Sequence, residues 1–581
     1  MTKQEVAASL DEIAILLELK GENLFRCKAY INAARTVEQL DGDLRQMVAE
    51  GKLSTVRGIG DSMAEKIGAL VLRDDLPYLN DLRKQVPAGL MEMLKIPGLG
   101  PKKVKALYDT LKITTIAELR TACDRNDVAA MKGFGEKTQD KILAGIEFAS
   151  GSGGRVRFDL AYPLGLALLA HLEKLPGVRR AALCGSLRRC RETSKDIDIL
   201  ISSDDPAPIM QAFVTLPEVE TVIAHGETKS SIRAALWLGT DKVVLNADLR
   251  VVEDTHFPFA QLYFTGSKEH NIRLRSRAID RGLVLNEYSL EGGGKSVPAV
   301  DESDIYRALD LIWVPPELRE DSGEIELSEK KQIPELIELD DLRGVFHNHS
   351  TYSDGSASIE EMALAAKSMG WEYFGIGDHS QSLKIARGLT PAAVRKQHME
   401  IERVNARLKG VKIIKGIECD ILGDGSLDYD DETLRTFDYV VVSVHTLFNM
   451  TVEEMTARIC KALSHPCTTM LGHATGRLLL QRDAYKVDLD RVIAAAAEHG
   501  KMIEINAQPL RLDLEWRYAR RAKALGIPLV INPDAHSPGD LELVKYGINE
   551  ARRAGLTAAD VFNTRTLAEV MAELQKRKQK A

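Results

Sequence analysis

Residues 184–201 read CGSLRRCRETSKDIDILI, and the alternation near the end of this stretch predicts the local structure. Asp196 and Asp198 alternate with Ile197 and Ile199. Since successive side chains of a strand point to opposite faces, the isoleucines enter a core and the two carboxylates project together. Two like charges this close repel each other, which favours a divalent cation between them. The stretch therefore predicts a strand that carries a metal site, preceded by a Gly-Ser turn and two arginines.

Length and composition restrict the class of protein. The chain has 581 residues, of which 44% are hydrophobic and 28% are charged, values typical of a globular protein with several domains. No apolar run is long enough to span a membrane, and the first residues carry acids inside their apolar pattern, unlike a signal peptide. The seven cysteines form no C-x-x-C pair, which favours reduced thiols. We therefore expect a cytoplasmic protein with no membrane partner.

Three segments of the first 150 residues share one pattern: VRGIGDSMAEKI from Val56, LKIPGLGPKKVKAL from Leu94 and MKGFGEKTQDKI from Met131. Each has an apolar residue, a G-x-G turn and an amphipathic helix with lysines, which is the helix-hairpin-helix pattern. Glycines permit a positive φ and let the backbone N–H groups at a helix start face a phosphate. The glycines concerned are Gly58, Gly60, Gly98, Gly100, Gly133 and Gly135.

A G-x-G turn can also simply end one helix and begin another. Three copies at spacings of 40 and 35 residues favour binding of the DNA backbone, which reads no base sequence. The net charge of −8 does not indicate a nucleic-acid binder, but residues 84–195 contain more Lys and Arg than Asp and Glu. This local excess is the kind of surface that DNA requires.

The pattern changes after residues 149–155, ASGSGGR, which we interpret as a linker. Residues 1–150 are expected to form short helices, whereas residues 156–255 contain the β-branched runs KDIDILI, ETVIAHG and DKVVLNADLRVV. These runs, with a helical segment at 163–175, predict an α/β sheet domain. Asp248 lies in the third run and adds a third strand-borne carboxylate.

These motifs resemble the family X DNA polymerases, the DNA polymerase beta group, over residues 1–316. GSLRRCRETSKDID resembles the nucleotidyltransferase signature of that family, NADLRVV its third-aspartate strand, and LYFTGSKEHNIRLR (262–275) its sugar-contacting segment. The resemblance implies that two Mg²⁺ ions are bound by Asp196, Asp198 and Asp248. It implies triphosphate binding by Gly185, Ser186, Arg189 and Ser194, and contact with the incoming sugar by Tyr263, Phe264 and Gly266.

The chain also departs from the animal enzymes of this family. Lys195 replaces a glycine beside the first aspartate, and a shorter loop after FTGS leaves the base-contacting role of His270, Asn271 or Arg273 open. Lys66 matches the family's Schiff-base lysine for removal of a 5′-deoxyribose phosphate. Supporting lysines are replaced by Arg26 and Ser62, so Lys66 is equally well interpreted as a phosphate-contacting helix residue.

The second half of the chain has a different character. Residues 317–337 are acidic and are interpreted as a linker. From Leu342 the chain repeats strand-like and helical segments: GVFHNHS, YFGIGDHS, VKIIKGIECDIL, YVVVSVHTL, CTTMLGHATG, KMIEINAQ and PLVINPDAH. Most of these runs end in His, Asp or Glu, as active-site residues do at the strand ends of a (β/α) barrel. Residues 338–581 are therefore predicted to form a seven-stranded barrel.

Nine potential ligands at these strand ends resemble the metal site of the PHP (polymerase and histidinol phosphatase) domain. They suit Mn²⁺ or Zn²⁺, up to three ions, and one carboxylate, Glu418, is placed to bridge two ions. The resemblance implies a 3′→5′ exonuclease, with abasic-site endonuclease or 3′-phosphatase activity as further options. The nine are His347, His349, Asp354, His379, Glu418, His445, His473, Asp534 and His536.

The sequence therefore predicts a multidomain, monomeric family X DNA polymerase of the bacterial and archaeal type. Its partners are gapped or nicked DNA and dNTPs, and its expected process is base-excision repair, with the polymerase and nuclease sites independent of each other. A DNA-end-binding scaffold with vestigial sites and an RNA-directed nucleotidyltransferase are the alternatives. The expected parts are an N-terminal helix-hairpin-helix domain (1–85), a second such region (86–154), an α/β nucleotidyltransferase palm (155–255), a thumb (256–316), the linker (317–337) and the PHP (β/α)7 barrel (338–581).

Overall fold

A computed structural model describes residues 3–38, 40, 44–56, 58–73, 76–94, 96, 99–151, 154–239 and 241–580. The chain divides into two compact units. The first contains residues 1–154 and 235–244, and the second contains residues 155–234 and 245–581. The described part of the second unit therefore includes most of the palm, the thumb and the barrel.

The described residues before Ser152 are mostly helical. Their amphipathic helices bury one apolar cluster that runs from Val6 to Ile146. The short-helix prediction holds for most of them, but α1, α2 and α9 have 15 to 18 residues. The helices are α1 (Lys3–Lys20), α2 (Leu24–Glu38), α3 (Leu44–Ala49), α4 (Asp61–Arg73), α5 (Pro77–Gln85), α6 (Ala88–Met93), α7 (Pro101–Leu111), α8 (Ile116–Asp124) and α9 (Gly135–Gly151).

The predicted linker at 149–155 is only partly correct. Helix α9 continues to Gly151, so the first three linker residues are helical. Ser152 and Gly153 lie outside the described residues. The boundary between the first compact unit and the palm follows Gly154.

The palm contains a mixed five-stranded sheet in the order β2-β4-β7-β6-β5. The three β-branched runs form β4, β5 and β7, as the sequence predicts. Helix α10 buries its apolar face, including Phe158 and Leu168. The elements are β1 (Val156–Arg157), α10 (Phe158–Leu172), β2 (Arg180–Leu183), α11 (Gly185–Arg188), β3 (Thr193–Ser194), β4 (Asp196–Ser202), α12 (Pro206–Phe213), β5 (Val219–His225), β6 (Lys229–Leu238) and β7 (Asp241–Val252).

The thumb is a small helical subdomain with a three-stranded sheet in the order β10-β9-β8. Residues 317–337, interpreted above as a linker, pack into its core through Leu318, Ile325 and Leu336. Its elements are α13 (Phe257–Thr265), α14 (Lys268–Asp280), β8 (Val284–Leu285), β9 (Leu290–Gly292), β10 (Lys295–Ser296), α15 (Glu302–Ala308) and α16 (Glu324–Glu329).

The C-terminal region alternates parallel strands and helices. The strands are almost wholly buried apolar runs, as expected for a parallel sheet covered by helices. The elements are β11 (Gly344–Val345), α17 (Ile359–Ser368), β12 (Tyr373–Gly375), α18 (Pro391–Arg407), β13 (Lys412–Ile414), β14 (Gly416–Asp420), α19 (Asp431–Leu434), β15 (Tyr439–Ser443), α20 (Val452–Ser464), β16 (Met470–Leu471), α21 (Leu489–Glu498), β17 (Met502–Asn506), α22 (Trp516–Ala524), β18 (Leu529–Asn532), α23 (Val544–Arg553) and α24 (Leu567–Lys580).

These strands close into a barrel. Two parallel sheets, β11-β12-β13 and β14 to β18 in chain order, are joined by the bridges His379 to Glu418 and Asn348 to Ala535. The run 411–422, expected as one strand, is interrupted at Lys415 and forms β13 and β14 in the two sheets. Seven strand segments of the sequence therefore surround one barrel, whose interior is filled by Phe346, Tyr439 and other large side chains that pack against α24.

Candidate functional site

The three palm carboxylates lie together at one edge of the sheet. Strands β4 and β7 pair in parallel, with Asp198 opposite Asp248 and Asp196 opposite Asn246. The three acids therefore share one face, since paired residues and residues two apart on a strand point the same way. Burial, with the neighbouring charges of Asp196 and Asp248, raises the pKa of Asp198 to about 7.

This concentration of negative charge fits a divalent cation. A raised carboxyl pKa means that the ionised form lacks sufficient positive charge around it, and a hard cation with oxygen ligands supplies that charge. Part of the compensation comes from Lys229, whose Nζ lies 2.9 Å from Asp248 Oδ2. The sequence analysis did not assign Lys229, because a lysine on a strand carries no motif of its own.

The triphosphate loop, defined here as residues 185–194, lies against the same carboxylates. Gly185 has φ +58°, and a Cβ built there would lie 2.0 Å from Asp198 Oδ2. Ser186 Oγ donates a hydrogen bond to Ser194 Oγ at 2.9 Å. The structure therefore brings three of the predicted nucleotide-binding residues next to Asp198.

Arg189 connects this loop to the predicted sugar-contacting segment. Its buried guanidinium donates to the Thr265 carbonyl and, through Nε, to Glu320 Oε1 at 3.1 Å. A Cβ at Gly266 would lie 3.0 Å from Arg189 Nη1. The preceding Tyr263 and Phe264 rings pack edge to face at 5.1 Å. The predicted nucleotide-binding residues thus form two groups joined by Arg189.

All nine predicted barrel ligands converge at the carboxyl ends of the strands. Glu418 lies among them, with Oε2 2.8 Å from His379 Nδ1 and Oε1 2.8 Å from His473 Nε2. Among the described residues, three groups place their ligand atoms within 4.8 Å of one another. These are His349, Asp354, His379 and His536; His347, His349 and Asp534; and His379, Glu418 and His445.

The donor atoms fit metal ions. Two buried ring nitrogens of this cluster, His349 Nδ1 and His473 Nδ1, have no hydrogen-bond partner. Buried polar atoms are normally paired, because an unpaired one costs free energy. Burial and the charges of His536 and His379 lower the pKa of His349 to about 3, which keeps its imidazole neutral, as metal coordination requires.

Carboxylates behind the cluster orient its histidines, and the sequence analysis missed them. Glu504 Oε1 lies 2.7 Å from His347 Nδ1, and Glu504 Oε2 accepts from the His473 backbone N–H at 2.8 Å. Asp420 contacts His445 Nδ1. A carboxylate on the second ring nitrogen fixes the tautomer and direction of a ligand histidine. The only sequence signal for Glu504 is the alternation in MIEIN (502–506), which predicts that this residue lies on a strand.

Five of the six helix-hairpin-helix glycines are described, and Gly98 lies outside the described residues. Gly58, Gly133 and Gly135 have positive φ. Gly60 and Gly100 do not have a positive φ, and Gly100 has φ −85°. A Cβ at Gly60, Gly100, Gly133 or Gly135 would meet nothing within 4 Å. Packing inside the chain therefore does not require glycine at these four positions.

Lys66 lies on α4 beside an aromatic ring. Its Nζ donates to Ser62 Oγ at 2.7 Å and lies 5.7 Å from the centre of the Tyr78 ring. Arg26 Nη2 donates to the Tyr78 hydroxyl at 3.0 Å. Two cations thus share one aromatic partner.

Known families match most regions of the chain. Residues 1–74 match a helix-hairpin-helix domain and residues 90–147 a SAM-like helix-hairpin-helix tandem. Residues 260–320 match the DNA polymerase beta thumb, and residues 346–508 match the PHP domain. None of the described helices has the length and apolar character needed to cross a membrane.

Similar proteins agree with these matches. The chain is 38% identical to the DNA polymerase/3′-5′ exonuclease PolX of Bacillus subtilis, over 99% of this chain and 100% of that protein. It is 24% identical to DNA polymerase lambda of Rattus norvegicus over 54% of this chain and 56% of that protein. A probable phosphatase of Thermoanaerobacter is 28% identical over 40% of this chain and 95% of that protein. The chain therefore belongs to the family X DNA polymerases that carry helix-hairpin-helix regions, a polymerase beta thumb and a C-terminal PHP domain.

Proposed function

We propose that this chain fills short gaps in DNA by template-directed addition of dNTPs and trims 3′ ends with its PHP barrel. The observation that carries the proposal is the paired register of Asp198 and Asp248 beside Gly185, in a chain similar over its whole length to a polymerase and exonuclease. Gap filling in base-excision repair is the proposed process.

The palm residues supply the binding and orientation that nucleotide addition needs. Asp196, Asp198 and Asp248 would hold two Mg²⁺ ions, and nine barrel residues would hold up to three Mn²⁺ or Zn²⁺ ions. Bound cations neutralise phosphate charge and make an oxygen nucleophile available at neutral pH. Gly185 and Ser186 would offer backbone N–H groups and a hydroxyl to the triphosphate.

The sugar-contacting residues support a preference for deoxynucleotides. Tyr263 is 37% exposed and packs on Phe264. The Arg250 guanidinium lies over the Phe264 ring, 4.5 Å from its centre. The Phe264 ring is held between Tyr263 and Arg250 and cannot move aside. The added 2′-hydroxyl of a ribonucleotide would therefore clash with it. We therefore propose that this pair disfavours ribonucleotides.

In the barrel, the protein's own groups hold and orient a phosphate ester. Glu504 and Asp420 fix two of the ligand histidines, and Asn506 Nδ2 donates to Asp534 Oδ2 at 3.1 Å. Arg511 Nε lies 3.6 Å from the same carboxylate and adds positive charge at the barrel mouth. Hydrolysis of a terminal phosphodiester gives the proposed 3′→5′ exonuclease.

The same barrel site is a candidate for smaller substrates. The similarity of the barrel region to a probable phosphatase supports removal of a 3′-phosphate, and an abasic-site endonuclease would use the same hydrolytic chemistry.

A lyase role of Lys66 is a separate proposal, supported by its place beside Tyr78 and Arg26. Trapping of a 5′-deoxyribose phosphate by borohydride, lost in Lys66→Ala but kept in Lys52→Ala, is the expected result.

The main test compares dNTP and rNTP incorporation on single-nucleotide gaps in DNA, with degradation of 3′-labelled and 3′-phosphorylated primers assayed in parallel. We expect dNTP incorporation with Mg²⁺ and primer shortening with Mn²⁺, both abolished by a chelator. Binding without either activity would support the scaffold alternative. Equal use of rNTPs on an RNA template would support the RNA-directed alternative.

A further inference from the structure

The triphosphate loop is held by a side chain of the barrel. Glu192 lies in this loop, two residues before Ser194, and its Oε1 accepts a hydrogen bond from Arg477 Nη2 at 2.5 Å. The two residues are 285 positions apart in the chain. Both side chains are largely buried, with 15% of Arg477 and 19% of Glu192 exposed.

Arg477 belongs to the segment that forms the mouth of the barrel. It follows the predicted ligand His473 by four positions, and its Nε donates to the Arg511 carbonyl at 2.9 Å. Its Nη2 also donates to the Leu512 carbonyl. The guanidinium is therefore fixed by two backbone carbonyls of the barrel, and its Nη2 also bonds to Glu192.

A second chain of charges reaches the same loop. Arg189 Nε lies 3.1 Å from Glu320 Oε1, and Arg553 Nη2 on α23 lies 3.9 Å from that oxygen. Arg553 also donates to Glu550 at 3.0 Å. These groups are almost fully buried, so the barrel contacts the triphosphate loop through charges that water does not screen.

The loop also has contacts within the palm: the Glu192 carbonyl accepts from the Phe158 N–H at 2.9 Å, and Arg155 Nε donates to Thr193 Oγ1 at 2.8 Å. β3 pairs with the two-residue strand β1, and Ser186 bonds to Ser194. An ion pair that is both buried and hydrogen-bonded sets direction, because leaving either charge unpaired is costly. Glu192 connects the barrel to the segment between Arg189 and Ser194, both predicted to bind the triphosphate.

We propose that Arg477, a residue of the PHP barrel, is a positioning residue for the triphosphate loop of the polymerase site and acts through Glu192. The barrel thus contributes to dNTP binding as well as to hydrolysis. The inference rests on the proposed polymerase function for the meaning of the loop, but the contact itself joins the two regions independently of that function.

The test measures KM for dNTP and kcat in gap filling for Glu192→Gln, Arg477→Gln and the double variant. We expect KM to rise about tenfold in each single variant with kcat nearly unchanged, since a displaced loop misplaces its phosphate-binding groups. The double variant is expected to match the worse single variant, because the same contact is already lost. Primer degradation is expected to survive in Glu192→Gln, which keeps the bonds of Arg477 to the barrel backbone.

Arg552→Gln is the matched control. Arg552 forms a similar ion pair with Glu317 at 2.7 Å, with side chains 18% and 11% exposed. Its hydrogen-bond partners, Glu317, Glu338 and the Ile337 carbonyl, lie outside the triphosphate loop. We expect its KM to stay at the wild-type value even if its melting temperature falls. A KM unchanged in both Glu192→Gln and Arg477→Gln, with a fall in melting temperature like that of the control, would overturn the inference and leave a purely structural contact.

Hydrogen exchange separates this inference from the proposed function. We expect backbone amides of residues 187–194 to exchange faster in Glu192→Gln and in Arg477→Gln than in the wild type or Arg552→Gln. Exchange at the wild-type rate in both variants would overturn the inference. A wild-type protein that incorporates no dNTP would contradict the proposed function, while the exchange result would still decide whether Arg477 positions the loop.

Discussion

At the scale of single residues, Gly185 shows how closely the palm site is built. Its Cα faces Asp198, and its positive φ is one that residues with a side chain rarely adopt. The motif GS before D-x-D indicated this site from the sequence. Lys229 carries no motif and Glu504 is signalled only by the alternation of MIEIN, because each is recognised mainly by the partner that the fold brings to it.

Gly185→Ala should abolish nucleotide addition. The new methyl group would overlap Asp198 Oδ2, so the carboxylate has to move away from the other two acids. We expect at least about a hundredfold loss of gap filling. Gly282→Ala is the control, since Gly282 also has positive φ, +70°, but nothing within 4 Å of its Cβ position. Gap filling by Gly185→Ala at the level of the control would show that this close approach is not needed.

At the scale of elements, the sequence predicted where the helices of the helix-hairpin-helix turns begin, but it did not predict that residues 317–337 pack into the thumb. The G-x-G repeats predicted the starts of α4, α7 and α9 because glycine and the following amphipathic pattern are local signals. The linker interpretation of residues 317–337 rested on their acidity, on a glycine and a proline, and on their position between two regions of different character. Acidic side chains of residues 317–337 form ion pairs with arginines that are distant in the sequence, both inside the thumb and beside it.

The turns themselves can be tested through DNA binding. Gly133→Leu together with Gly100→Leu should weaken binding to every DNA sequence alike and flatten its dependence on salt, because fewer phosphates are contacted. Fluorescence anisotropy at several salt concentrations measures both effects. Gly51→Leu is the control, because Gly51 has positive φ and open space but lies in no G-x-G turn. A loss confined to particular base sequences would rule out a backbone-binding role.

Glu302 on α15 is a buried ionic centre of the thumb. Its two carboxylate oxygens accept bonds from Arg319 at 2.8 and 2.9 Å and from Arg188 at 2.7 and 2.9 Å. Burial alone would raise its pKa, but the two arginines hold that pKa well below the ordinary value for glutamate. Arg188 belongs to α11, so this carboxylate also joins the thumb to the palm.

Glu302→Gln should destabilise the protein by about 3 to 5 kcal/mol, because Arg319 would keep a buried, unpaired charge. The stabilisation by Glu302 is complete above its unfolded-state pKa, near about 4.3, and is lost as the pH falls through the lower folded-state pKa. Urea unfolding between pH 7 and pH 3 should therefore show a steeper loss in the wild type than in the variant. Equal slopes would contradict this role of Glu302.

At the scale of the whole molecule, the strands of the barrel and the position of most of the nine predicted ligands could be read from the sequence, because most of these residues follow local apolar runs. The relation between barrel and polymerase was not predictable, since Glu192 and Arg477 lie 285 positions apart and neither belongs to a motif. The sequence predicted two independent sites. The structure leaves the two predicted sets of metal ligands separate but connects the barrel to the predicted triphosphate loop through Arg477 and Glu192.

In the proposed function, one chain carries two chemically distinct sites: the palm site adds nucleotides, and the barrel site hydrolyses phosphodiesters. The most direct measurement follows extension and shortening of a labelled primer in a gapped duplex with Asp198→Ala and with His347→Ala/His349→Ala. Asp198→Ala should stop extension while DNA binding and primer shortening continue. His347→Ala/His349→Ala should stop shortening while extension continues or increases. Normal gap filling by Asp198→Ala, or primer shortening by the double histidine variant, would contradict the account.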